Sequence, residues 1–111
     1  MKKLNILWTT DNKDTIFNML SMYANNSKKH GWWQEVNILI WGASAKLIAN
    51  DTQVQTEVLE MVKNGITLEA CKACADNLGV SEKLINLGIN VRYTGLALTE
   101  YIKSGEKIIT I

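Results

Sequence analysis

ITLEACKACADNLG, residues 66–79, passes without a linker from a short apolar run, Ile66 to Ala70, into a helix that Gly79 stops. A buried strand feeding a helix directly is half of a βαβ unit, so the stretch predicts a parallel sheet with crossover helices. Cys71 stands at the junction. There it faces unpaired backbone N–H groups and the positive end of the helix dipole, which favour thiolate over thiol. Cys74 follows one turn later on the same helix face, with Cβ atoms roughly 5–6 Å apart if both are helical, so a modest movement brings the sulfurs within bonding reach.

The same alternation continues on either side of this stretch. Leu4 to Thr9 is nearly continuous in apolar character, as a strand covered on both faces requires. Asp11 or Asn12 caps a helix over 14–29 with Ile16, Leu20, Tyr23 and Ala24 at helical spacing, and Gly31 ends it. Val36 to Trp41 is a second strand, and a short helical turn spans Lys46 to Ala49. Thr52 with Gln55 fits a capping box ahead of the stripe Val54, Val58, Met61 and Val62, which Asn64-Gly65 closes. After the cysteine helix, Ser81 caps a short helix ending near Gly88. Then come a strand over Ile89 to Tyr93, a helix over Leu96 to Lys103 and a strand over Lys107 to Ile111. This pattern predicts a single α/β domain: a three-layer α/β/α sandwich around a five-stranded, mostly parallel sheet. Loops following parallel strands gather at one sheet edge. Thr10, Asp11, Trp41, Gly42, Ser44, Thr94 and Gly95 are therefore expected to form a pocket over Cys71, completed in one arrangement by a neighbouring subunit.

With 111 residues, 47% hydrophobic and 21% charged, the chain has the composition of one ordinary globular domain. Twelve basic and eleven acidic residues, spread along the chain, leave no footprint for nucleic acid or an anionic membrane surface. No apolar run reaches the length of a membrane span, and the opening strand, interrupted by Asn5, is too brief for a signal-peptide core. The expected location is the cytoplasm, where two cysteines three apart point to redox, thiol-transfer or metal chemistry, or else to two small buried hydrophobes.

Several chemistries lack their residues. The seven glycines sit singly, with neither GxGxxG nor GxxxxGK[ST], and no cofactor is implied. A structural zinc site needs four ligands, and the chain offers two cysteines and one histidine, so no metal is expected. His30 falls near the end of the first helix, a position that suits its C-terminus. The carboxylates show no paired spacing. Trp32-Trp33 reads as a core edge or subunit contact, whereas Trp41, at a strand end beside Gly42, is open to either a packing or a ligand role.

The segments carrying Thr9-Thr10-Asp11, Ile40-Trp41-Gly42-Ala43-Ser44-Ala45, Gly65 to Gly79 and Leu98 to Ile111 together resemble the DsrE-like (DsrE/DsrF/YchN-like) sulfur-relay family over most of the chain. Cys71, eight residues before Gly79, falls where sulfur-carrying members have their persulfide cysteine. The resemblance implies a small cytosolic protein, usually a homotrimer or a larger assembly such as a hexamer. Its exposed cysteine accepts sulfane sulfur as a persulfide and passes it to a partner thiol on a donor or acceptor protein. The family also includes members with no assigned activity.

Cys74 departs from that pattern, because a minimal carrier has no need of a second thiol. As an auxiliary residue it is either an inert packing group or a thiol that attacks a persulfide on Cys71 and releases sulfide. Thioredoxin-like oxidoreductases share Cys-x-x-Cys after a strand, but their sites resemble one another in a cis-proline, and this chain has no proline. A non-catalytic oligomer that binds a small ligand, with both cysteines packed, stands as the other function class. Cys71, at the helix start, is the expected sulfur acceptor, and burial of Cys74 against the sheet is expected to raise its pKa.

Overall fold

Side chains alternate across the strands in a way that separates two unlike sheet faces. Leu4, Ile6 and Trp8 of β1 (Lys3–Trp8), Val36, Ile38 and Ile40 of β2 (Glu35–Ile40), and Leu68 and Ala70 of β3 (Thr67–Cys71) share one face and are all buried in the main core. Asn5, Asn37, Leu39, Glu69 and Cys71 point to the other. The structure, a computed structural model, describes residues 2–111.

All strand pairings are parallel, in the order β4-β3-β2-β1-β5, with β4 at Asn90–Arg92 and β5 at Lys107–Thr110. The chain therefore steps from β1 through β2 and β3 to one edge before returning to the other. Right-handed crossovers place the helices of the first three connections on one face and the helix of the return on the opposite face. The first group is α1 (Lys13–Thr15), running through a π-helical turn (Ile16–Leu20) into α2 (Ser21–Lys29), then α3 (Ala43–Asn50), α4 (Thr52–Lys63), α5 (Lys72–Leu78) and α6 (Ser81–Asn86). The return helix is α7 (Thr94–Lys103). Ile16, Leu20, Ala24, Ile48, Val54, Val58, Met61, Ala75 and Leu84 pack from the crowded layer onto the apolar face. This is the α/β sandwich expected, with every strand parallel and one outer layer reduced to a single helix.

Several local assignments change. Asp51, not Thr52, caps α4, its carboxylate accepting from the Val54 amide at 3.0 Å. Gln55 instead donates to the Ile48 and Ala49 carbonyls, tying α3 to α4. Ser81 is the first residue of α6, and its hydroxyl donates to Asp76. The turn expected over Lys46 to Ala49 is the full helix α3. Its entry, Gly42, has φ +68° and ψ −137°, a conformation that a side chain disfavours. Asn12 caps the first helix as expected, accepting from Thr15 N. Tyr23 lies at the surface rather than in the core, and Trp32 is exposed, stacked against His30 and Tyr23.

Candidate functional site

Cys71 ends β3 and is also the N-cap residue of α5, with extended backbone (φ −67°, ψ 116°). That geometry turns its side chain back over the first helical turn. The thiol makes no conventional capping hydrogen bond, but the amides of Cys74 and Ala73 lie where they stabilise charge on its sulfur. Burial pushes the Cys71 thiol up. Against it act the Cys74 amide, the Cys74 thiol, the Thr94 hydroxyl and the Ala73 amide, and together they hold the pKa below the ordinary thiol value.

The strand register brings the second and third parts of the site alongside. Ile40 pairs with Ala70, so Trp41 emerges level with Cys71 on one side; Arg92 pairs with Cys71 on the other, so Tyr93 and Thr94 emerge there. Thr94 Oγ1 is buried without a hydrogen-bond partner and lies beside Cys71, where its hydroxyl favours the charged form of that thiol. The Trp41 indole lies beside Cys74 and favours the charged form of its thiol. Gly95 faces the indole, and a Cβ there would sit at ordinary van der Waals distance, 3.8 Å, from Trp41 Cη2. Burial, the hydrogen bond shared with Cys71 and the charge on Cys71 push the Cys74 thiol up, outweighing the Trp41 N–H.

The two sulfurs thus differ in charge and in access. Both cysteines are free. Cys71 is only 7% exposed, while Cys74 is half-buried. The exposed cysteine implied by the family resemblance is therefore a recessed one in the single chain, and the more open thiol is the one less inclined to ionise. Lys72, ion-paired with Asp76 at 2.5 Å and poised 5.9 Å from the Tyr93 ring, places positive charge at the rim.

Of the seven pocket residues read from sequence, Trp41, Thr94 and Gly95 lie together with the cysteines. Gly42 and Ser44 shape the loop behind them, the Ser44 hydroxyl lying 2.6 Å from the Trp8 carbonyl and 2.9 Å from that of Trp41. Thr10 and Asp11 follow β1, two strands from β3. Thr10 N donates to Ile111 O at 3.2 Å, drawing that loop toward β5, and Asp11 lines a separate groove with α3 residues Ala43, Lys46, Leu47 and Asn50.

Sequence reasoning missed a polar ladder across the second sheet face. Asn37 donates to Asn5 at 3.1 Å and to Glu69 at 2.8 Å, and Tyr101 of α7 donates to Glu69 at 2.8 Å. Arg92 donates to and ion-pairs with Glu69, and Asn5 donates to Glu106 at 3.0 Å. Burial and the Glu69 carboxylate push the Tyr101 hydroxyl up, keeping it a donor. The signal was three polar residues inside otherwise apolar strands. Beside the ladder, at the opposite end of the strands from the cysteines, a concavity measures about 660 Å³. Among the described residues no group of three His, Cys, Asp or Glu side chains converges to hold a metal, and no helix is long and apolar enough to cross a membrane.

The fold and sequence have clear relatives. A conserved protein of unknown function from Bacteroides thetaiotaomicron, BT1422, shares 66% identity, with TM-score 0.98 over 99% of this chain and 95% of that one. The YchN protein of E. coli aligns with TM-score 0.70 at 16% identity over all of both chains. The protein of unknown function MTH1491 from Methanobacterium thermoautotrophicum aligns over all of both chains with TM-score 0.76 at 15% identity, and at such identities the likeness is one of fold. No curated protein matches the sequence. The DsrE/DsrF-like family profile matches residues 1–111, and the chain belongs to that family.

Proposed function

We propose that this protein accepts sulfane sulfur as a persulfide on Cys71 and passes it to a partner thiol. The observation that carries this reading is the capping position of Cys71, where two amides, the Thr94 hydroxyl and the Cys74 thiol converge on one sulfur. A thiolate takes sulfur by attacking the sulfane atom of a donor, and the groups that stabilise it also stabilise the anionic terminal sulfur of the product. Membership of the sulfur-relay-like family supports the assignment. Free thiols at this spacing suit a reducing compartment, and we place the protein in the cytoplasm on that ground.

The partners follow from the same surface. Leu96 and Ile102 of α7 and Tyr93 just before it are exposed, and they support a homo-oligomer, a trimer or hexamer, that extends the wall of the site. The sulfur donor or acceptor is then a protein whose own thiol reaches past the Lys72–Tyr93 rim. Mass spectrometry of the folded protein after brief exposure to a sulfane donor tests the reading. One added sulfur is expected in Cys74→Ser and, at the earliest times, in the native chain, and none in Cys71→Ser. Loading that survives Cys71→Ser would overturn it.

A further inference from the structure

We infer that the site is built to go beyond carriage: Cys74, the third residue of the helix that Cys71 caps, resolves a persulfide on Cys71, releasing sulfide and closing a Cys71–Cys74 disulfide. The inference rests on the proposed loading of Cys71 and assigns the site a further activity, persulfide reduction, with low-molecular-weight or protein persulfides as substrate class.

Three features carry it. Cys71 is not a helical residue but the extended cap before α5, so its side chain folds back toward the first turn, and Cys74 occupies the third helical position, where an N-cap side chain points. The two thiols are consequently neighbours at the helix start, each acting on the other's ionisation, and rotation about χ1 is the movement that would bring their sulfurs to bonding distance. Trp41 then supplies what a packing cysteine would not need. Its indole, on a loop held by the Ser44 bond to the Trp41 carbonyl, acts on Cys74 to favour the charged form as that thiol is deprotonated.

The chemistry balances without any further oxidant. In the first step the Cys71 thiolate attacks the sulfane atom of a donor R–S–SH, forming Cys71–S–SH and expelling R–S⁻, which takes a proton to become R–SH. In the second the Cys74 sulfur attacks Cys71 Sγ, the S–S bond to the terminal sulfur breaks with its electron pair, and HS⁻ leaves with the Cys74 proton as H₂S. The sulfane sulfur gains two electrons, and the two thiols lose them as the disulfide forms. One turnover uses only the protein's own thiols. Repeated turnover requires a dithiol reductant, small molecule or protein, able to reach the half-buried Cys74.

The test uses the full chain, fully reduced, without oxygen, and glutathione persulfide as the probe. Sulfide and protein mass are followed together. The native chain is expected to release one sulfide per chain and to end two hydrogens lighter, with no lasting added sulfur. Cys74→Ser is expected to retain the added sulfur roughly tenfold longer or more, because an intramolecular thiol at high effective concentration has been removed. Trp41→Phe keeps both thiols and is expected to slow sulfide release. A native chain that holds a lasting persulfide and releases no sulfide overturns this inference and leaves the carrier reading standing. Sulfide release unchanged by Cys74→Ser overturns it equally. A chain that shows neither added sulfur nor sulfide defeats both readings, and circular dichroism of each variant separates that result from misfolding.

Discussion

Thr94 distinguishes a packed cysteine from a prepared one. A hydroxyl buried without a nitrogen or oxygen partner costs about 1 kcal/mol or more, a penalty with no structural return while Cys71 is a neutral thiol. Thr94→Val is accordingly expected to leave the fold as stable or up to about 1 kcal/mol more stable in urea unfolding. At the same time it removes a donor from the thiolate. Alkylation of Cys71 by a small reagent, followed against pH, should rise with a midpoint below that of a free thiol in the native chain, because the folded environment lowers its pKa. The midpoint should move upward in Thr94→Val and in Cys74→Ser. A bulky reagent is expected to favour Cys74, which is the more exposed sulfur. The cysteine pair was legible in the sequence because N-cap chemistry is local, and Thr94 because it follows a strand. Thr10 and Asp11 were assigned to the same site because every post-strand loop shares one edge. Which of those loops are neighbours depends on strand order, a non-local property that no motif in this chain encodes.

At the scale of elements, α7 is fastened at both ends to the strand that bears Cys71. Its first residue, Thr94, meets the cysteine, and Tyr101, two turns later, binds Glu69, two residues before Cys71 on the same sheet face. Glu69 is buried and accepts from Asn37, Tyr101 and Arg92, so truncating it leaves donors stranded beneath the helix. Glu69→Leu is expected to destabilise the protein by about 2–3 kcal/mol, below the usual cost of breaking a buried pair because Arg92 is nearly half exposed and can turn to water. Equilibrium urea unfolding measures it, and loosening of α7 should also slow persulfide loading at Cys71. Helix and strand alternation was readable from Gly79, Gly65 and the Val54, Val58, Met61 stripe, each of which acts within its own segment. The ladder was not, since Asn5, Asn37 and Glu69 are 32 residues apart in successive steps and become neighbours only in the assembled register. Caps were misassigned for a related reason. Asp51 and Thr52 are adjacent acceptors with comparable preferences, and the geometry of the α3–α4 corner decides between them.

For the whole molecule, the unequal layers set the surface on which assembly would be built. The face opposite the crowded helical layer carries α7 alone, whose outer side exposes Leu96 at 68% and Ile102 at 62%, with Tyr93 at 67% just before it. Scattered apolar residues are normal on a monomer, but here three of the most exposed ones in the chain belong to one helix and the residue before it. Burying Leu96 and Ile102 in a subunit contact would contribute roughly 1.5–3 kcal/mol for each side chain, a gain that recurs in every copy of a symmetric assembly. Such a contact would also set a neighbour's surface near Cys71, where it could limit access to small donors or to a matching partner thiol. We therefore expect light scattering to give a mass several times that of one chain at micromolar concentration. Leu96→Glu should shift it toward the monomer while circular dichroism and the unfolding midpoint of the isolated chain change little, since Leu96 contributes nothing to the core. If assembly also controls access, the same variant should admit the bulky alkylating reagent to Cys71 several-fold faster. A native chain that scatters as a monomer would remove the oligomer from the proposal and leave the Cys71 chemistry to a single subunit.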